Sequence, residues 1–167
     1  MSVDFTKKEC QCKSNKKLFG LCDDQLHLSN PAYIDEKNGS KWIAVVINEY
    51  KFEVVFTAID NCIDIKKKDG KMAKRCDGVL SYDNTIIFVE LKERGALGNQ
   101  WVTDAENQLK ETLTYFEKEK IAKIYYHKKA YISNSRHPKF KVSQTRRMNQ
   151  FLEDTGYILR IENRIYL

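Results

Sequence analysis

"CDGVLSYDNTIIFVELKER", residues 76–94, is the stretch on which the reading of this chain turns. β-Branched and aromatic residues flank the turn formers Asp83, Asn84 and Thr85, the pattern of two strands joined by a tight turn. The second half, Ile86 to Leu91, is a near-continuous apolar run, as expected of a strand covered on both faces. It nevertheless ends in Glu90 and Lys92, and the first half opens with Asp77. Residues two apart on a strand point to one face, so Glu90 and Lys92 project together. Antiparallel pairing across the turn brings the start of the first strand beside the end of the second, and Asp77 then approaches both.

Two carboxylates held close repel each other, and a divalent cation relieves that repulsion. Hard oxygen ligands suit Mg²⁺ or Mn²⁺. Asp77 and Glu90 are the expected ligands, and the main-chain carbonyl of Leu91 can add a third oxygen. Such a metal lowers the pKa of a bound water and offsets charge on a phosphate. Lys92 would stand beside that water and offset developing negative charge. The set suits hydrolysis of a phosphodiester. The competing reading is a surface hairpin with a cross-strand ion pair. Against it, a strand of buried character rarely ends in two charges without a partner or ligand.

Asp77 in "CDG" and Glu90-Leu91-Lys92 in "VELK" resemble the core motif of the PD-(D/E)XK nuclease superfamily. The proline that precedes the aspartate in that family is Cys76 here. The resemblance rests on residues 76–92 and the helix that follows. It implies an α/β (α+β) restriction-endonuclease-like fold, with a central mixed β-sheet flanked by helices. It also implies Mg²⁺ dependence and cleavage of nucleic acid, DNA ahead of RNA. Gln108, on the helix after the motif, matches a glutamine of RecB-like members and would line the cleft. Many members carry a further upstream acid. Asp60, ending the apolar run "FTAID", is favoured as an additional metal ligand, with Glu49 and Glu53 the other candidates. A homodimer or a targeting partner protein fits so short a chain of this class. A nuclease-fold protein without activity, acting as a nucleic-acid-binding or scaffolding module, is the alternative function.

Outward from the motif, residues 1–40 are polar, lysine-rich and dense in turn formers, which predicts an irregular arm packed on a core domain of residues 41–167. "KWIAVVIN" and "FEVVFTAID" read as two strands joined by a tight turn; a helix from Ser40 is the weaker alternative given the β-branched load. "VTDAENQLKETLTYFEKEK" predicts a helix, with Thr103 and Glu106 as a capping box. A strand over "IAKIYYHKKAYIS" follows, with Pro138 helping to end it. Next come a helix stopped by Gly156 and a closing hairpin through "YILRI" and "RIYL".

A net charge of +6 points to a polyanionic partner. Lys66, Lys67, Lys68, Lys71, Lys74 and Arg75 flank the loop leading to Asp77, while Arg136, His137, Arg146 and Arg147 lie further on. Lys74, Arg75, Arg146 and Arg147 are the chosen phosphate contacts. No apolar run is long enough to cross a bilayer and the N-terminus has no apolar signal core, so a cytoplasmic protein is expected, with no membrane role. Five cysteines, an odd number, then predict reduced thiols. Cys10, Cys12, Cys22 and His27 could form a zinc-stabilised interaction module, at a spacing that fits zinc poorly.

Overall fold

A computed structural model describes the chain apart from residues 1, 25, 28, 94, 96, 97, 137–139, 141 and 142. The expected roles of Pro138 and His137 therefore lie outside the described residues. In chain order the elements are β1 (Gln11–Ser14), β2 (Leu18–Cys22), β3 (Tyr33–Asp35), β4 (Ala44–Ile47), β5 (Val54–Ala58) and β6 (Gly78–Tyr82). They continue with β7 (Thr85–Lys92), α1 (Gln100–Phe116), β8 (His127–Asn134), α2 (Thr145–Thr155), β9 (Ile158–Ile161) and β10 (Arg164–Tyr166). The fold is mixed α/β, with two mixed sheets and, among the described residues, two α-helices. None of the described helices is long and apolar enough to cross a membrane.

The larger sheet runs β1-β5-β6-β7-β8-β9. It is antiparallel from β1 to β7 and parallel from β7 to β9, with α1 and α2 in the two crossovers. The second sheet runs β10-β4-β2-β3. The alternation along β7 separates two cores. Ile86 and Phe88 pack with α1 residues Leu109 and Phe116, whereas Ile87, Val89 and Leu91 pack with Phe19, Val46 and Ile165 of the second sheet. This double coverage is why the strand reads as a continuous apolar run. On the helix side, Phe88 meets the edge of Phe116 at 4.9 Å and of Tyr157 at 5.9 Å.

The β6–β7 hairpin stands where the sequence places it, with Tyr82 opposite Thr85 and Asp83 at φ 46°. Gly78 is fixed by packing: a Cβ there would lie 2.3 Å from the Phe56 ring and 2.9 Å from the Thr57 carbonyl oxygen. Gly156 ends α2 at φ 78°, in the left-handed region.

Several expectations are corrected. Residues 1–40 are not irregular throughout: β1 extends the larger sheet and β2 and β3 build part of the second. Among the described residues, the two α-helices therefore flank one face of the larger sheet and a second sheet covers the other. β4 and β5 do not pair with each other, nor do β9 and β10; each lies in a different sheet. Asn48 makes the first of these breaks: its side chain accepts from Phe52 N at 2.9 Å and donates to the carbonyls of Phe52 at 2.9 Å and Lys16 at 3.2 Å. α1 begins at Gln100, three residues before the expected cap, and Glu106 is drawn into an ion pair with Arg147 rather than a capping box.

The thiols also differ from expectation. Cys10 and Cys62 form a disulfide, and Cys12, Cys22 and Cys76 are free. Cys10 is thereby unavailable to a zinc site with Cys12, Cys22 and His27.

Candidate active site

The β6–β7 ladder pairs Gly78 with Val89, and one step further places Asp77 opposite Glu90. Both carboxylates are buried, Asp77 at 8% and Glu90 at 1% exposure. Each is fastened to the other's strand: Leu91 N donates to Asp77 Oδ2 at 2.6 Å, and Asp77 N donates to Glu90 Oε2 at 3.2 Å. The pair therefore closes the open end of the hairpin in place of further ladder bonds.

Burial costs each carboxylate its hydration and raises its pKa. Asp77 is pushed well above the usual carboxylate range, first by desolvation, then by the charges of Glu90 and Asp23. Glu90 is raised to about 7 by desolvation; Lys92 pulls it back and Asp60 pushes it further up. The third member, Lys92, places Nζ 3.0 Å from Glu90 Oε1. The same ammonium donates to Gln108 Oε1 at 2.9 Å.

Gln108 reaches the site because α1 is stitched to the segment before Asp77. Cys76 N donates to Thr112 Oγ1 at 2.8 Å, and Thr112 donates to the Gln108 carbonyl at 2.8 Å. Gln108 Nε2 in turn donates to the Arg75 carbonyl at 3.3 Å. Cys76 itself is fully buried, and desolvation holds its thiol protonated well above neutrality.

Asp60 lies just beyond β5, where Asp60 N donates to the Cys76 carbonyl at 3.2 Å. Its carboxylate pairs with Arg75, Nη2 to Oδ1 at 3.0 Å. Arg75 also donates to the Ile63 carbonyl at 2.9 Å, so its guanidinium braces the loop between β5 and β6. Asp60, Lys74, Arg75 and Gln108 line one cleft of about 350 Å³, together with Ala73 and Asp104.

The remaining basic candidates divide. Lys74 and Arg146 are exposed. Arg147 bridges the helices, donating to Glu106 and, at 3.3 Å, to Thr103 Oγ1. Glu49 is exposed, and Glu53 pairs with Lys13 at the surface at 3.2 Å. Among the described residues no three His, Cys, Asp or Glu side chains are placed together to hold a metal ion.

Two acids at this end of the sheet were missed by sequence reasoning. Asp104 faces the cleft from α1. Asp23 follows β2 and acts on Asp77 through its charge. The signal for Asp23 was present, since "LFGLCDD" is an apolar run ending in acids, as "FTAID" is. It was hidden because β2 belongs to a sheet whose existence the polar N-terminal segment did not reveal.

No family model, no curated protein and no solved structure matches this chain.

Proposed function

We propose that this protein is a divalent-metal-dependent nuclease of the PD-(D/E)XK type, hydrolysing phosphodiester bonds of nucleic acid, DNA ahead of RNA. One observation carries the reading. Two buried carboxylates, Asp77 and Glu90, stand opposite each other at the end of a hairpin, with the Lys92 ammonium 3.0 Å from Glu90. The topology supports it, because β5, β6 and β7 are antiparallel and α1 then leads to a parallel β8.

The donor set fits Mg²⁺ or Mn²⁺. Desolvation first, then neighbouring acids (Glu90 and Asp23 for Asp77, Asp60 for Glu90) raise the two carboxylates, which is the cost a divalent cation offsets. Asp77, Glu90 and the Leu91 carbonyl would hold the ion, while Asp60 stands paired with Arg75 beside them. Bound there, the ion supplies an acidified water and charge on the phosphate oxygens. The protein's own part is positioning. Gln108 accepts from Lys92 and fixes the direction of the ammonium. Lys92, whose ammonium stands 3.0 Å from Glu90 Oε1, would offset negative charge at the reacting phosphate. Lys74, at the rim of the cleft, meets the backbone of the substrate.

A non-catalytic nucleic-acid-binding module is the second reading. The observation favouring it is that both Glu90 oxygens are engaged within the protein, by Lys92 Nζ and Asp77 N. Incubation with plasmid, linear duplex, single-stranded DNA and RNA, with Mg²⁺, Mn²⁺ or EDTA, separates the two. Metal-dependent cutting lost in Asp77→Ala and Lys92→Ala proteins supports the nuclease. Binding without cutting by the unaltered protein supports the module. Cutting retained in both variants overturns the assignment of the site.

A further inference from the structure

A second cavity, of about 190 Å³, opens where the C-terminal ends of β8 and β9 meet the start of α1. Its floor is Ile132 and Ile161, direct register partners on the two parallel strands. Its wall is Trp101, from the first turn of α1, stacked on Phe140 with ring centroids 5.7 Å apart and planes within 19°. Asn134 and the exposed Glu162 supply polar groups at its edge. The volume is below the roughly 300–1,000 Å³ of sites that enclose whole drug-sized ligands. It holds one ring system rather than a complete nucleotide. A flat aromatic wall, an apolar floor and a hydrogen-bonding edge together fit a planar heteroaromatic ring.

The position of the cavity decides which ring. Asn134 is the register partner of Lys92, one strand across. Neighbouring strands lie about 4.8 Å apart, so the cavity begins one strand away from Lys92. We propose that this pocket receives an unstacked nucleobase of the substrate strand, next to the phosphate presented to Lys92. The inference rests on the nuclease reading and deepens it by naming the substrate class: single-stranded or locally unpaired nucleic acid. A base in an intact duplex reaches such a pocket only at the cost of unstacking and unpairing. The Glu162 carboxylate accepts hydrogen bonds and donates none, so it would meet the base through an N–H, an exocyclic amino group or a ring imide.

The test uses the full chain in EDTA, so that binding is read without cleavage. Trp42 and Trp101 are the two tryptophans, and a Trp42→Phe protein leaves Trp101 as the reporter. It is titrated with short single strands of adenine, cytosine or thymine, an abasic strand of equal length, and a blunt duplex. The expected result is quenching of Trp101 by the base-bearing strands alone. They bind roughly tenfold tighter than the abasic strand, the scale of one base–aromatic stack. Phe140→Ala removes that difference, and Phe140→Leu restores part of it. Equal affinity for abasic and adenine strands overturns the proposal, as does quenching by the duplex equal to that by single strands. A parallel digestion with Mg²⁺ separates the two readings. Cutting without base-dependent quenching leaves the nuclease and removes the pocket. Base-dependent quenching without cutting keeps the pocket and removes the catalysis.

Discussion

Lys92 and Gln108 are joined at 2.9 Å, ammonium to amide oxygen, while Lys92 also touches Glu90 at 3.0 Å. The glutamine therefore holds a cation that the carboxylate would otherwise hold alone. Lys92→Ala is expected to lower the cleavage rate about a hundred- to a thousandfold, the scale of losing one charge-stabilising group. Gln108→Leu acts through Lys92 and is expected to lower it roughly ten- to a hundredfold, as for partners that orient reacting groups. Single-turnover rates measured over a range of pH check this. A shift of the basic limb of the profile in Gln108→Leu marks a positioning role that mere loss of stability would not produce.

Burial of Glu90 makes stability depend on pH in a defined direction. Its carboxyl titrates near 4.5 when unfolded and at about 7 when folded. A raised folded pKa gives stability that is complete below the unfolded value and is lost as pH rises through the folded one. The metal-free protein should accordingly lose roughly 3 kcal/mol from Glu90 between pH 4.5 and pH 7, at about 1.4 kcal/mol per pKa unit. Asp77 acts in the same direction. Mg²⁺ needs both carboxylates ionised, so the rise in Tm on adding it should be larger at pH 8 than at pH 6. An equal rise at both values would count against these carboxylates as ligands.

Arg147 and Lys74 should separate by the kind of loss. Arg147 bonds the buried Glu106 across the helix interface, so Arg147→Met is expected to cost about 1–3 kcal/mol of stability. Its effect on the salt dependence of nucleic-acid binding should be small. Lys74 is exposed at the cleft, so Lys74→Ala should leave Tm unchanged and reduce the slope of log affinity against log salt by about one. Urea melts and binding titrations at several salt concentrations measure both.

The Cys10–Cys62 bond spans 52 residues and fastens the N-terminal segment to the turn just after Asp60. Chain entropy assigns a loop of this length about 4 kcal/mol. Dithiol treatment and Cys10→Ser should each lower Tm to the same value. Thiol titration of the unfolded, unreduced protein should find three groups, those of Cys12, Cys22 and Cys76.

Gly78→Ala tests the packing that holds Asp77 in place. The new methyl would meet the Phe56 ring and the Thr57 carbonyl. Overpacking of this kind costs about 1–3 kcal/mol, and it displaces the strand that carries Asp77. Melting temperature and cleavage rate should fall together.

Local physics fixed much of what the sequence could say. The β6–β7 hairpin, the helix through Gln108, the stop at Gly156 and the approach of Asp77 to Glu90 and Lys92 follow from residue period, turn chemistry and neighbour pairing. Those forces act over a few residues, so one chain segment reveals them. Tertiary structure alone decided the rest. It split β4 from β5 and β9 from β10, because a strand pairs with whichever edge buries its apolar face, and that edge lies far away in sequence. It turned the polar N-terminal segment into three strands, brought Asp23 into the field of Asp77, and joined Cys10 to Cys62. It also directed Arg75 to Asp60 and Arg147 to Glu106, since a charge at a closed surface pairs with the opposite charge that folding delivers.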